Sequence, residues 1–111
     1  GTVALPGRAV YSATKHALEG LTKAMALDLA SDGIRVNSIC PTYIETPLTR
    51  PLMENQAFVD YVTQRMPLSM AEQPIGKVGD LDGALMFLAD SALSDLVTGT
   101  NLVVDGGWTA Q

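Results

Sequence analysis

Between Val10 and Ser31 the chain carries no proline and a single glycine, and no other stretch constrains the fold as strongly. Ala13, Ala17, Leu18, Leu21, Ala24, Met25, Leu27, Leu29 and Ala30 recur at near-helical spacing and are good helix formers. The pattern predicts one long helix. Ser31-Asp32-Gly33 ends it, with Gly33 able to take the left-handed conformation of a C-terminal cap. Leu18, Leu21 and Met25 form one apolar face, and Ala17, Ala24 and Leu27 broaden it. A helix apolar over so much of its girth calls for cover on two sides, from its own sheet and from something else.

The residues that follow supply little sheet. Ile34-Arg35-Val36-Asn37-Ser38-Ile39 alternates apolar and polar and is β-branched, which predicts a strand stopped at Cys40-Pro41. Pro41 to Pro51 has loop composition. Leu52 to Arg65 shows partial helical periodicity through Phe58, Tyr61 and Val62, and Met66, Pro67 and Pro74 break it. Met53, Met66 and Met70 suit either an adaptable apolar wall or irregular core packing. Asp80 is placed to cap a helix running through Leu81 and Phe87 to Ser91. Thr98-Gly99 leads into a short buried strand, Asn101 to Val104, and Asp105-Gly106-Gly107 turns the chain out of the sheet. There is no internal repeat, low-complexity tract or interdomain linker. Helices this apolar do not sit on two strands, a sheet that is marginal in water alone, and parallel strands need neighbours and crossovers. The expectation is the later part of a larger α/β domain whose first strands lie outside these residues. The opening Gly1 to Arg8, with Gly1, Pro6 and Gly7 and no initiating Met, fits a chain that begins mid-domain.

Composition narrows the functional classes. At 111 residues, 47% hydrophobic and 17% charged, the chain reads as one globular domain or part of one. Its net charge of −5, with seven scattered Lys and Arg, argues against nucleic acid as a partner. No apolar run reaches about 18 residues, and Gly1-Thr2-Val3-Ala4 has no basic stretch before an apolar core, so neither a membrane span nor a signal peptide is expected. One cysteine, Cys40, and one histidine, His16, supply neither an internal disulfide nor a metal cluster. A reducing, cytoplasmic setting fits.

At the head of the predicted helix stand Tyr11 and Lys15. Side chains four apart on a helix share a face, with Cβ atoms about 5–6 Å apart. A neighbouring positive charge favours phenolate and draws a tyrosine toward the range where it can donate or accept a proton. The same spacing also suits a lysine snorkelling beside a half-buried ring, and spacing alone does not separate the two. His16 is turned about 100° around the helix from Lys15 and is not a partner.

Five ordered blocks carry a resemblance. Tyr11-Ser12-Ala13-Thr14-Lys15, Ala17 to Thr22, Gly33 to Ile39, Pro41 to Thr46, and Thr98-Gly99 with Val104 to Gly107 closely resemble the short-chain dehydrogenase/reductase family across essentially the whole chain. The resemblance implies an α/β fold: the C-terminal part of a doubly wound, parallel-sheet NAD(P)-binding Rossmann fold, with residues 1–111 as the C-terminal portion of a single oxidoreductase domain. It implies NAD or NADP as cofactor, and hydride transfer to or from a small carbonyl or alcohol substrate. Tyr11 resembles the catalytic acid/base, and Lys15 the residue that lowers its pKa and bonds the nicotinamide ribose. Pro41, Thr42, Ile44 and Thr46 match the cofactor loop, where the Ile44 backbone and the Thr46 hydroxyl would hold the nicotinamide carboxamide. That loop falls beyond the carboxyl end of a strand, where open α/β sheets place ligands. Thr42 stands where the family has glycine, and its Cβ resists a left-handed conformation. Asn37 is expected to brace its strand, and Cys40 to be a core residue.

The phosphate loop, the NAD/NADP selector and the catalytic Ser and Asn of the family all fall upstream of Gly1, so the missing N-terminal half is an expected partner. A homo-oligomer, dimer or tetramer, is expected through the helix after Tyr11. The segment Leu52 to Ala71 is expected to cover the substrate. The alternative is a catalytically inactive truncated fragment acting as an oligomerisation or interaction module.

Overall fold

The computed structural model describes residues 7–68 and 73–110, which fall into two compact units: residues 1–40 with 84–102, and residues 41–83 with 103–111. Met70, one of the methionines expected over the substrate, lies outside the described residues, as does Ala71.

In the first unit the predicted long helix is present as α1 (Ala9–Leu29), prolonged by a 3₁₀ turn over Ala30–Asp32. Its end follows from Gly33, at φ +70°. The Gly33 N–H bonds the Ala30 carbonyl at 3.0 Å and the Ile34 N–H bonds the Leu29 carbonyl at 3.2 Å. These are the two bonds of a Schellman motif, which satisfy helix carbonyls that would otherwise lack donors. The expectation of burial on two sides is corrected within this chain. Only Thr22 and Ala26, one turn apart, are buried, whereas Leu18, Leu21 and Leu27 are 51%, 53% and 81% exposed. Ala26 meets a close backbone neighbour: a Cβ on Gly99, at φ +73°, would lie 3.4 Å from the Ala26 methyl.

The predicted strand at Ile34 to Ile39 begins later. It is β1 (Ser38–Pro41), and it pairs with β4 (Asn101–Val104), whose bounds match the sequence expectation. Ile34 to Asn37 are held without a ladder. Gly99 N–H bonds Val36 O at 2.7 Å, and the Val36 N–H bonds Thr98 Oγ1 at 3.1 Å. Arg35 donates to the carbonyls of Leu88 at 2.8 Å and Val97 at 3.2 Å. The single helix expected from Asp80 to Ser91 is two helices, α3 (Asp82–Ala89) and α4 (Ser91–Ser94). Asp90 breaks them apart: its backbone is extended and its Oδ1 accepts the Ala92 N–H at 2.9 Å, the N-cap geometry aspartate favours over a helix interior. Asp80 instead serves the 3₁₀ turn Val78–Leu81, where its Oδ2 accepts the Lys77 N–H at 2.7 Å. Cys40 is half-buried, not a core residue, in this chain.

In the second unit two strands too short for a sequence pattern appear, β2 (Ile44–Glu45) and β3 (Gly76–Lys77), paired in parallel with Ile44 opposite Gly76. Between them a 3₁₀ turn (Arg50–Glu54) leads into α2 (Gln56–Arg65). Asn55 caps α2, its Oδ1 accepting from the N–H groups of Ala57 and Phe58 at 3.0 and 3.3 Å. The core of this unit is Val62, Met66 and Ile75, with Tyr43, Met53, Phe58 and Trp108 packed around it. Met66 and Met53 are therefore core-packing residues. Full burial of Val62 is worth about 1.5–3 kcal/mol. Tyr43 joins Phe58 edge-to-face at 5.1 Å and Trp108 at 5.6 Å, and Arg65 lies 4.8 Å over the Tyr61 ring.

Candidate active site

Tyr11 and Lys15 lie in the first turns of α1, on one face, with Lys15 Nζ 5.4 Å from the centroid of the Tyr11 ring. The Arg8 guanidinium is 6.0 Å from the same centroid, a second cation that the sequence reading did not single out. Tyr11 is 51% exposed, with both cations beside its ring. His16 takes no part in this pair. Its Nδ1 donates to the Ser12 carbonyl at 2.7 Å, closing a bond back along the helix.

Asn37 resolves in favour of bracing. Its Nδ2 donates to the Val97 carbonyl at 2.9 Å and its Oδ1 accepts the Thr100 N–H at 3.0 Å, so the amide is spent on backbone.

The residues expected to form the cofactor loop belong to the second unit. Pro41 is the last residue of β1, Thr42 follows, Ile44 opens β2 and Thr46 comes just after it. Among the described residues every positive φ belongs to glycine, so Thr42 occupies this position without left-handed strain. The loop is held from two directions. From β3, the Gly76 N–H bonds the Tyr43 carbonyl at 3.0 Å, and the absence of a side chain on Gly76 is used: a Cβ there would stand 2.7 Å from Ile44 Cδ1. From the other direction comes Thr49, which composition did not single out. Its hydroxyl donates to the Ile44 carbonyl and accepts the Thr46 N–H at 2.9 Å, with Thr46 Oγ1 3.1 Å away. A hydroxyl three residues beyond Thr46 in a proline-bounded loop is the local signal for such a turn. A cavity of about 320 Å³ in this unit is lined by Thr42, Ile44, Met66, Leu68, Ile75 and Val104 among others, a mostly apolar wall beside the loop.

No group of three or more metal-ligating side chains is found among the described residues, and no helix there is long and apolar enough to cross a membrane.

These elements define a class. A family model described as enoyl-(acyl carrier protein) reductase matches residues 1–109. The chain belongs to the short-chain dehydrogenase/reductase family. It is 38% identical to a D-beta-hydroxybutyrate dehydrogenase of Rhizobium meliloti, aligned over all of this chain and 45% of that protein. Among solved structures it is similar to a gluconate 5-dehydrogenase from Burkholderia cenocepacia in complex with NADP and tartrate, at 44% identity and TM-score 0.88, covering 99% of this chain and 41% of that one. It is equally similar in fold to a 4-hydroxyisoleucine dehydrogenase mutant complexed with NADH and succinate, at TM-score 0.88 and 38% identity, covering 98% and 43%. The fold is thus the α/β fold of the Rossmann dehydrogenases. The chain spans less than half the length of these relatives.

Proposed function

We propose that this chain is the C-terminal part of an NAD(P)-dependent oxidoreductase that interconverts a small carbonyl compound and its alcohol, with Tyr11 as acid/base and Lys15 as its assisting cation. The observation that carries the reading is the exposed Tyr11 ring with Lys15 Nζ at 5.4 Å on the same helix face. Family membership and neighbours complexed with NADH or NADP support it.

When bound, the nicotinamide supplies or accepts the hydride. The residues of this chain handle the proton and the positioning. In the reducing direction the Tyr11 hydroxyl donates its proton to the substrate oxygen as negative charge develops there. In the oxidising direction the phenolate takes that proton back. The Lys15 ammonium would offset negative charge that the reaction places on the Tyr11 oxygen and would donate to the nicotinamide ribose. Tyr11 adds a further contact to the cofactor. In the cofactor loop formed by Pro41, Thr42, Ile44 and Thr46, the Ile44 backbone and the Thr46 hydroxyl would hold the nicotinamide carboxamide. The fit is chemical: this loop offers peptide groups and a threonine hydroxyl, partners for an uncharged amide, and it is fixed at Ile44 by β3 and by Thr49.

The remaining half of the domain, bearing the phosphate-binding elements, is the first partner. Self-association through the exposed Leu18, Leu21 and Met25 face of α1 is the second, supported by the apolar area this helix leaves open. The lone Cys40 supports a cytoplasmic setting. Titration of NADH and NADPH into the intact polypeptide that carries this chain, followed by oxidation of the bound nucleotide against a panel of ketones, tests the reading. Binding without turnover of any carbonyl would contradict it.

A further inference from the structure

We propose that Thr49 is a positioning residue that fixes the Thr46 hydroxyl as a hydrogen-bond acceptor and so makes the loop selective for the –NH2 of a primary amide. The inference rests on the reading of Thr46 as a carboxamide ligand and says how that ligand is given its direction.

The argument is a count of protons. A threonine hydroxyl has one proton to donate and two lone pairs to accept with. The Thr49 hydroxyl spends its proton on the Ile44 carbonyl, its nearest acceptor, since Thr46 Oγ1 stands 3.1 Å and the Thr46 carbonyl 3.4 Å away. Its lone pairs then face two groups of Thr46. One takes the Thr46 N–H at 2.9 Å, and the other faces Thr46 Oγ1 at 3.1 Å. With the Thr49 proton already committed, the bond between the two hydroxyls runs one way only: Thr46 O–H donates to Thr49 Oγ1. Thr46 has then spent its own proton, and its oxygen can only accept.

Among the described residues one further donor reaches that oxygen. The Thr49 N–H lies 3.3 Å from Thr46 Oγ1, but it is shared with the Thr46 carbonyl, which is nearer at 3.1 Å. At least one lone pair of Thr46 Oγ1 is unused by these bonds. A ligand group meeting that lone pair must bring an N–H or O–H, which a primary amide does and a methyl ketone of the same shape does not. Without the Thr49 hydroxyl, the Thr46 O–H would be free to rotate and donate, and the distinction would fade.

The test uses the intact polypeptide and two ligands, the ordinary nicotinamide nucleotide and its acetylpyridine analogue, in which a methyl replaces the amide –NH2. Dissociation constants for both are measured by fluorescence on wild type, Thr49→Val, Thr49→Ser and Thr46→Val. Wild type is expected to favour the nicotinamide by about tenfold, the worth of one well-made hydrogen bond in a desolvated site. Thr49→Val should bring the ratio near unity while Thr49→Ser keeps it. Equal weakening of both ligands by Thr49→Val would overturn the proposal, since that is the signature of a damaged loop. Loss of the ratio in Thr49→Ser overturns it as well, whatever the folding of the valine variant. If Thr46→Val abolishes the ratio while Thr49→Val preserves it, Thr49 is refuted and the reading of Thr46 stands. If wild type itself shows no preference, both fall.

Discussion

The side-chain amide of Asn37 is bound to the backbone of Val97, its Nδ2 donating to that carbonyl at 2.9 Å, while its Oδ1 takes the Thr100 N–H at 3.0 Å. Both ends of the amide join segments about sixty residues apart in sequence, which makes Asn37 a brace. Asn37→Ala removes both bonds, leaving the Thr100 N–H without this partner and the Val97 carbonyl with the Arg35 guanidinium alone. The expected result is a loss of about 1–3 kcal/mol in chemical denaturation, with nicotinamide-nucleotide affinity of the folded variant unchanged. A variant of full stability that has lost cofactor binding would place Asn37 in the site instead.

Gly33 and Gly107 separate two costs that substitution of a glycine combines. Both have positive φ, +70° and +92°, but a Cβ on Gly33 would meet nothing within 4 Å, whereas one on Gly107 would stand 3.1 Å from Cδ of the Pro67 ring. Gly33→Ala should cost about 1 kcal/mol, from backbone conformation alone. Gly107→Ala should cost more, because the proline ring cannot swing aside as a flexible side chain could. Denaturation midpoints of the two variants compare them directly, and equal losses would show that the Pro67 contact is immaterial.

Asp105 is a carboxylate through which acid weakens the fold. Burial by itself raises its pKa, but the Thr109 hydroxyl and the backbone N–H groups of Thr109, Gly107 and Trp108 outweigh that and hold the carboxyl below its ordinary value. A carboxylate depressed in the folded state contributes stability above its unfolded pKa of about 3.9, and that contribution is lost as pH falls through the lower folded value. Asp105→Asn should therefore lower stability at neutral pH and flatten the loss seen on acidification below about pH 4. Unfolding curves across that range check both halves, and an unchanged acid slope would argue that Asp105 is not the group responsible.

Much of this fold is legible in the sequence because its signals are local. Gly33 ends α1 through a conformation only glycine adopts cheaply, Asn101–Val104 is a short, mostly apolar run ending in two valines, and Gly106 and Gly107 turn the chain at φ +62° and +92°. The alternation from Ile34 to Asn37 is not a strand because Val36 bonds the Thr98 side-chain hydroxyl and the Gly99 N–H in place of a backbone ladder, a difference that no periodicity encodes. Asp90 hides a helix break within an apolar run, since its carboxylate satisfies a backbone donor that composition does not reveal. The two-residue strands at Ile44 and Gly76 are too short to carry a pattern. At the candidate site the adjacency of Tyr11 and Lys15 follows from helical spacing, and its chemistry from family resemblance. Thr49 stayed out of view because its importance lies in where one proton points.

The acid/base role of Tyr11 is tested most directly by kcat/KM for carbonyl reduction by the intact polypeptide, wild type against Tyr11→Phe, with the affinity for reduced nicotinamide nucleotide measured on the same samples. Removing the phenolic proton should lower kcat/KM by about 10²–10⁴-fold, the span of general acid–base catalysis, while cofactor affinity falls far less. A phenylalanine variant that turns over within about twofold of wild type would contradict the role given to Tyr11, and with it the meaning of the 5.4 Å approach of Lys15.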